Sequence, residues 1–294
     1  MTTTLVLNPG VGGEDLAVEE NSVSGAQYQA IANLGTLYVS AGDLTGLSSN
    51  HKFGARYDVD TGDGPIAVWD GASNWVAPTA SRVHAIVSTA VADTNTAGTG
   101  MRTLVVQGLD TNFDMQSETV ILNGQTPVNT GSAYTRIFRM YGATFGSGAQ
   151  NAGTITATAA APDSTLTAVI AVEPTSGIGL SQTMMAVYTV PNDKEAFLYG
   201  VHISLTRFNS TPATAATHGL FRLKARPNAD TATAGWLTKS FMGASVSGSS
   251  APDYVRHGVP VMFDEKTDLV IEVIDVSEDN CGVTASFDLI VRDK

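Results

Sequence analysis

The sequence predicts an all-β fold, with two β-sandwich or jelly-roll-like domains preceded by an extended N-terminal arm. Three observations predict it. Only 15% of the 294 residues are charged, against about 25% in typical soluble domains. The chain is rich in Gly, Ala, Ser and Thr and poor in the Glu, Lys, Leu and Arg that fill surface helices. Strand-length apolar runs recur at short spacing between turn signals along most of its length. The length suits one large or two ordinary domains, and we place them at residues 51–175 and 176–294, after an arm at 1–50.

The arm has little capacity to form a core of its own. One short apolar run, Thr3 to Leu7, is followed by a Gly-rich and acidic segment, Pro9 to Asn21, and the one modest helix candidate is Ser24 to Leu34. Such a segment is either disordered or ordered against a neighbouring subunit. No basic region with an apolar run marks a secretion signal, and no stretch approaches the roughly 20 apolar residues of a membrane span. We therefore expect a soluble protein made in a cytoplasm.

In the first predicted domain, His51 to Trp75 has aromatics among turn residues and is expected to be a loop-rich entry into the first sheet. Asp93 to Gly100 is expected to be a polar turn. Met101 to Tyr141 is predicted to be an antiparallel β-meander, because Asn123-Gly124 is a strong hairpin signal in which both residues accept positive φ. The predicted strands are Arg82 to Ala90, Arg102 to Gln107, Thr119 to Leu122, Tyr134 to Tyr141, Thr154 to Thr158 and Ala168 to Val172.

Glu173 to Leu180 interrupts the strand rhythm with Pro and two Gly, which makes it the best linker candidate. Seven further strands are predicted after it, a number that suits a sandwich or jelly roll. Two small, polar turn regions, Asn209 to Thr217 and Gly243 to Asp253, should lie at one exposed end. The seven strands are Thr183 to Val190, Ala196 to Thr206, Gly219 to Ala225, Trp236 to Met242, Val259 to Phe263, Leu269 to Val276 and Thr284 to Val291.

Charge and cysteine content restrict the partners and the chemistry. The formal net charge is −12 and the pI is near 4.7, so the surface should repel phosphate backbones and anionic bilayers. We expect neither nucleic acid nor membrane as a partner. Cys281 is the single cysteine; it is expected to be a small buried apolar residue rather than a nucleophile.

Motifs that could carry chemistry are incomplete. Asp60-Thr61-Gly62 matches the tripeptide of an aspartic protease, but no second copy supplies the partner carboxylate that a dyad needs. Asp58, Asp60 and Asp63 could ring a hard cation, yet Gly62, Asp63 and Trp69 stand where the helical calcium loop needs a ligand, a Gly and a Glu. A solvated acidic turn explains both patterns.

The remaining sequence gives no stronger site. Five single histidines lack metal spacing, and no Gly-x-Ser-x-Gly elbow is present; these histidines are His51, His84, His202, His218 and His257. We predict no catalytic, cofactor-binding or metal-ligating residues and no cofactor. A spatial cluster of histidines from separate strands stays an open alternative.

Basic residues are the more interesting feature of the second domain. Strand alternation puts Arg222, Lys224 and Arg226 on one face, and Arg136 and Arg139 lie in an earlier strand. Such a strip is either a docking surface for an acidic partner or one side of cross-strand pairs with Asp or Glu. Cross-strand pairing is the favoured interpretation.

A family resemblance emerges from a series of short segments. In the first domain these are Lys52-Phe53-Gly54, Trp69-Asp70-Gly71, Arg102-Thr103 through Gly108-Leu109-Asp110, Ser117-Glu118-Thr119-Val120, Leu122-Asn123-Gly124-Gln125-Thr126-Pro127-Val128 and Tyr134-Thr135-Arg136. In the second they are Tyr188-Thr189-Val190-Pro191, Arg226-Pro227, Glu265-Lys266-Thr267-Asp268 and Phe287-Asp288-Leu289-Ile290. From about Lys52 onward, the chain resembles a loosely defined group of structural proteins of tailed, often marine, bacteriophages.

That resemblance implies a β-rich virion component without enzymatic activity, assembled in the host cytoplasm as a head decoration, a fibre or a tail part. Its expected partners are copies of itself, as a dimer or trimer, and other virion proteins such as the major capsid protein or tail proteins. A receptor- or carbohydrate-binding module is the alternative, since Trp69, Trp75, Trp236 and Tyr254 lie in or near predicted loops where they could stack on sugars. A hydrolase on a β scaffold is third, because it lacks a paired-acid signature.

Overall fold

The computed structural model describes residues 36–174, 176–207, 217–246 and 251–294, apart from the side chains of residues 207 and 251–256. The segments Thr3 to Leu7, Pro9 to Asn21 and Ser24 to Leu34 lie outside these residues, as does most of the predicted turn Asn209 to Thr217. The chain divides into two compact units, Met1–Ser48 and Ser49–Lys294. In the first unit, residues 36–41 form a short helix, which Gly42 ends in a left-handed conformation.

The second unit is built from antiparallel strands, so the predicted all-β fold is confirmed. The described residues form sixteen strands, of which the first begins at the end of the first unit. Their bounds are β1 Leu47–Val59, β2 Ile66–Ala67, β3 His84–Ser88, β4 Met101–Leu109, β5 Met115–Ile121, β6 Val128–Asn129, β7 Arg136–Phe145, β8 Ile155–Ala159, β9 Leu166–Ile170, β10 Val187–Thr189, β11 Lys194–Arg207, β12 Thr217–Arg226, β13 Leu237–Val246, β14 Ala251–Phe263, β15 Asp268–Val276 and β16 Cys281–Asp293.

These strands form four sheets. Sheet I has the order β1-β16-β11-β14, and sheet II has the order β10-β15-β12-β13 with β2 also paired to β15. Sheet III has the order β6-β3-β8-β9, and sheet IV has the order β5-β4-β7. From β10 onward, the chain passes repeatedly between sheets I and II, as it does in a β-sandwich, where two sheets pack face to face.

Two hydrophobic cores result from this arrangement. Alternate residues of β11 and β16 in sheet I pack with those of β12 and β15 in sheet II, as Leu205 and Phe287 do with Phe221 and Ile271. The second core lies mainly among sheets III and IV, and Val187 and Val270 of sheet II also belong to it. Sheet II therefore contributes side chains to both cores.

Strands from before residue 176 complete sheets of the second half, since β1 pairs with β16 and β2 pairs with β15. The predicted linker, Glu173 to Leu180, includes a tight turn in which the N–H of Glu173 donates to the carbonyl of Ile178 at 2.8 Å. The division between residues 175 and 176 stays a prediction.

Three local predictions were wrong. His51 to Trp75 is not loop-rich at its start, because β1 runs from Leu47 to Val59 and pairs along β16. Met101 to Tyr141 is not a sequential meander, since β4 lies between β5 and β7. Gly124 has the expected positive φ of 60°, but its N–H donates to the carbonyl of Asp93 at 2.8 Å and the chain continues into β6 of sheet III. Gly243 to Asp253 includes the end of β13 and the start of β14.

Asp70 joins the segment after β2 to the segment before β10. Its N–H donates to the carbonyl of Met184 at 3.1 Å, and the N–H of Met184 donates to Asp70 Oδ2 at 3.2 Å. Burial raises the pKa of the Asp70 carboxyl from 3.8 to about 8, although the N–H groups of Met184 and Ala171 offset part of that rise. The folded chain therefore holds a proton here at pH values where the unfolded chain has released it.

Because the pKa is raised on folding, the stability that Asp70 contributes is fully present below about pH 4 and is lost as the pH rises to about 8. The slope reaches at most about 1.4 kcal/mol per pH unit within this window. Asp70→Asn cannot ionise, so its stability relative to the natural chain should increase from pH 5 to pH 8 in urea unfolding. The exposed Asp114→Asn is the control, and equal pH dependence of the natural chain and Asp70→Asn would contradict the prediction.

Candidate interaction surface

A buried ion network ties sheet IV to sheet II. Asp268, at the start of β15, is fully buried, and Arg136 of β7 is 3% exposed. Arg136 Nε donates to Asp268 Oδ1 at 2.9 Å, and Arg136 Nη2 donates to Oδ2 at 3.2 Å. From β12, Arg226 Nε donates to Oδ2 at 3.0 Å, and Thr189 Oγ1 of β10 donates to Oδ1 at 2.6 Å. Both carboxylate oxygens are thereby satisfied by charged or hydroxyl donors.

A second acidic residue on β15 repeats the pattern. Glu272 is 1% exposed, and Arg222 Nε donates to its Oε2 at 2.8 Å. Lys224 forms an ion pair with Glu272 Oε1. Arg222 lies directly opposite Glu272 in the register of β12 and β15, as Arg226 lies opposite Asp268. The predicted cross-strand pairing of Arg222, Lys224 and Arg226 is confirmed.

Trp236 covers the outer side of these cations. Lys224 Nζ lies 4.1 Å from the centroid of its ring, and the Arg226 guanidinium lies 5.0 Å from it. Such cation–π contacts neutralise no charge, but they hold the ring flat against the strand. The strip on β12 is therefore directed toward carboxylates and an aromatic ring of the same chain.

Exposed apolar side chains lie next to this strip, on an edge of sheet II. β13 is the last strand in the order of that sheet. Met242 and Ala244 point into the first core, whereas Leu237 is 50% exposed and Phe241 is 62% exposed. Phe241 stands opposite Arg222 in the register of β12 and β13. An edge strand with exposed apolar side chains and open backbone groups is a template for pairing with another chain.

Two other sheets end in the same way. β14 is an edge strand of sheet I, where Val259 is 83% exposed and Met262 is also exposed. β5 is an edge of sheet IV and exposes Met115 and Ile121. Exposed apolar residues therefore recur on edge strands of three sheets.

An open groove of about 420 Å³ crosses one end of sheet II. His218 of β12, Ser245 of β13 and Asp275 of β15 line it, with Ser277 just beyond β15. Gly243, which stands opposite Leu220 in the register of β12 and β13, leaves one position of the groove without a side chain. The groove offers hydroxyl, carboxylate and imidazole groups beside the apolar Leu220.

The tryptophans proposed to stack on sugars divide into two groups. Trp69 and Trp75 are buried in the second core, and Trp69 Nε1 donates to the carbonyl of Ser73 at 2.8 Å. Their predicted exposure was wrong, because both rings belong to a core of apolar residues from strands that are distant in sequence. Trp236 is partly exposed, and the side chain of Tyr254 lies outside the described residues.

The acidic turn at Asp60 and Asp63 is structural. Asp63 Oδ2 accepts from the N–H of Asp60 at 3.0 Å, Asp60 Oδ1 accepts from the N–H of Asn280 at 2.8 Å, and Thr61 donates twice to Asp279 Oδ1. The carboxylates therefore bind backbone and hydroxyl donors of two facing loops, which agrees with the predicted solvated turn.

The described residues contain no group of three or more His, Cys, Asp or Glu arranged to hold a metal ion.

Cys281 is fully buried, as expected. His84 is buried as well, and burial lowers its pKa to about 4 while its Nδ1 hydrogen bonds with the carbonyl of Arg82. Within the part of the chain that the structure describes, no helix has the length and apolarity of a membrane span.

Comparisons with known proteins identify no family. No protein-family model matches the sequence, and no curated protein matches it. A tryptic core variant of Cry1Da from Bacillus thuringiensis is 12% identical with a TM-score of 0.18, and the match covers 78% of this chain and 52% of that one. The chain thus spans about half the length of the Cry1Da chain.

Two virus structures also show weak similarity. T=1 particles derived from infectious bursal virus match at 10% identity and a TM-score of 0.12, over 85% of this chain and 78% of theirs. The Gx strain of infectious bursal disease virus matches at 8% identity and a TM-score of 0.10, over 84% of this chain and 79% of its own. The structural similarity to viral particle proteins is weak, and TM-scores this low carry no argument about function.

Sequence reasoning missed the residues that distinguish this surface. Alternation within the predicted strand Trp236 to Met242 separates Phe241 from Met242, and this signal could have marked Phe241 as outward-facing. Nothing in the sequence marks β13 as an edge strand, because strand order depends on contacts between distant segments.

Removing the carboxylate of Asp268 should be costly, since Arg136 would keep a buried charge without its partner. We expect Asp268→Asn to lower the free energy of unfolding by about 3–5 kcal/mol. The control Asp293→Asn removes the exposed partner of Lys194 and should cost less than about 1 kcal/mol. Urea unfolding at pH 7 checks both values, and equal losses in the two variants would show that the buried network has no special role.

Proposed function

We propose that this chain is a non-enzymatic structural protein of a bacteriophage virion. In this proposal it is a head decoration, a fibre or a tail component that assembles as a homo-oligomer through its edge strands. Copies of the chain and other virion proteins, such as the major capsid protein or tail proteins, are its partners. The observation that carries the proposal is the exposed apolar edge of sheet II at Leu237 and Phe241.

Physical features support an assembly role for that edge. Soluble monomers usually protect their sheet edges with charges, prolines or covering loops. Here Phe241 and Leu237 are exposed on β13, and the cations of β12 beside them are paired with Glu272 and Asp268. Contact with another copy would remove the apolar surface of Leu237 and Phe241 from water, and the exposed Lys239 between them would pair with a carboxylate of that copy.

Composition supports the same proposal. A surface with few charged side chains leaves broad polar and apolar areas for contact, and the net charge of −12 disfavours binding to nucleic acid. The backbone is held largely in antiparallel sheets, which suits a protein that persists outside the cell. The short segments that resemble structural proteins of tailed bacteriophages are the reason for proposing a phage virion as the particle.

An association experiment tests the role of the edge. Phe241→Asp places a charge on the exposed face of β13 and should shift the protein from oligomer to monomer, raising the dissociation constant at least tenfold in sedimentation equilibrium. Val91→Asp is the matched control because Val91 is 69% exposed outside any strand. A natural chain that stays monomeric at all concentrations, or equal effects of the two variants, would contradict assembly through this edge.

The virion role has a separate test. In purified particles the chain should be present at many copies and in a symmetric arrangement, as determined by quantitative mass spectrometry and particle imaging. Absence from particles that infect normally would refute the virion role whatever the association experiment gives.

A receptor- or carbohydrate-binding role is the second candidate, and the groove across the end of sheet II favours it. His218, Ser245 and Asp275 present polar groups to an open groove next to the apolar Leu220, a combination that suits sugars. On a glycan array, Asp275→Ala should abolish binding if the groove is the sugar site, whereas Asp114→Ala should leave it unchanged. Trp236→Ala tests the partly exposed ring near the other end of β12, and binding that survives both Asp275→Ala and Trp236→Ala would exclude this face.

A further inference from the structure

Lys52 is a buried cation without an acidic partner. It lies on β1, is 6% exposed, and its Nζ donates to the carbonyl of Phe138 at 2.5 Å. The ring of Phe138 lies 5.4 Å from the same nitrogen. Among the described residues no carboxylate forms an ion pair with Lys52. An ammonium has three N–H donors, so a carbonyl and a ring leave this charge incompletely compensated.

The buried carboxylates of Asp268 and Glu272 differ from Lys52 because they have partners of opposite charge. Asp268 and Glu272 each pair with two cations of the same chain. Removing an ammonium from water costs several kcal/mol unless an anion or several acceptors replace the water. An uncompensated buried charge that faces a cavity is a common property of binding sites.

Such a cavity is present beside Lys52. The Lys52 pocket, as we call it, has a volume of about 50 Å³ and is lined by Asn50, His51, Lys52, Gln107, Arg139 and Thr183 together with two phenylalanines. One water occupies roughly 30 Å³ in the liquid, so the pocket suits a group as small as a carboxylate. No Asp or Glu is among its lining residues.

The polar groups of the pocket are suited to an anion. Arg139 has no carboxylate partner within the described residues; its guanidinium donates to Gln182 Oε1 at 3.3 Å and lies over the ring of Tyr141. Thr183 Oγ1 accepts from the N–H of Met140 at 3.2 Å, which leaves its own O–H to donate. His51 pairs with Asp288 at 2.6 Å. Two cations, a hydroxyl and two amides therefore surround the space.

We propose that the Lys52 pocket binds a single carboxylate group, with Lys52 and Arg139 as its cationic ligands and Thr183 as a hydroxyl donor. The carboxylate belongs either to a small free anion or to an Asp or Glu side chain of a second copy of this chain. The proposal does not depend on the virion role, because a free carboxylate would occupy the pocket of an isolated chain.

The electrostatics of the pocket give it a distinctive signature. Burial, together with the charge of Arg139, lowers the pKa of Lys52 from 10.5 to about 7. A bound carboxylate favours the charged form and must raise that pKa again. By linkage, the carboxylate binds more tightly at a pH where Lys52 is already protonated.

The test uses the full chain labelled with ¹³C-lysine, with sodium formate as the probe and sodium chloride at equal ionic strength as the reference. We expect formate to raise the pKa of Lys52, followed at its Cε, by at least one unit. The affinity for formate, measured from the saturating rise in Tm, should be at least about fivefold greater at pH 6.5 than at pH 8.5. The Lys52→Met variant should lose the saturating rise, Arg139→Gln should weaken it severalfold, and the exposed-pair control Lys194→Met should keep it.

Two arms distinguish the sources of the carboxylate. If it comes from a free anion, formate changes the titration of Lys52 without changing the sedimentation of the protein. If it comes from a second copy, the pKa of Lys52 is already high in concentrated protein, falls on dilution, and formate dissociates the assembly. The proposal is overturned if Lys52 titrates identically in formate and chloride at every protein concentration, or if Lys52→Met, checked for folding by circular dichroism, keeps the formate-dependent rise in Tm.

Discussion

The buried carboxylate of Asp268 is the constraint on which the arrangement of this molecule depends. It lies at the start of β15 and binds Arg136 from sheet IV as well as Arg226 and Thr189 from sheet II. A carboxylate in such a place is tolerated only when every lone pair has a donor. This requirement fixes β7, β10 and β12 around one point. It also fixes register, because a slip of one residue would exchange Arg222 and Arg226 with the core residues Leu223 and Ala225.

The pairing of the buried carboxylates determines which side chains are exposed on the outer face of sheet II. The cations of β12 are directed toward Glu272 and Asp268, and Trp236 lies over two of them. On β13, the apolar Leu237 and Phe241 are exposed beside the polar Thr238 and Lys239. A strip that could have bound an acidic partner instead stabilises the sheet, and the neighbouring edge strand becomes the better surface for contact. This arrangement is the physical basis of the proposed assembly role.

The chain compensates its buried charges in different ways, and the differences are informative. Asp268 pairs with guanidinium groups. Asp93 is equally buried but accepts from the N–H groups of Met101, Ala152 and Gly153 and from the hydroxyl of Ser88. It therefore joins the end of β3, the start of β4 and the loop before β8. Lys52 has only a carbonyl and a ring. The first two have a full set of partners within the chain, whereas Lys52 has no acidic partner among the described residues.

The sequence by itself determined the β class, the place of most strands and the burial of Cys281, and it favoured pairing of the β12 cations over docking of an acidic partner, because period-two alternation and turn residues act locally. It did not give the long strand β1, the central place of β4, the burial of Asp93 within a predicted polar turn, or the enclosure of Trp69. Those features arise when segments far apart in the chain meet. Whether a polar residue is exposed or buried, and whether a strand is an edge, was decided by the tertiary structure, since hydrogen-bond partners and covering side chains come from distant segments.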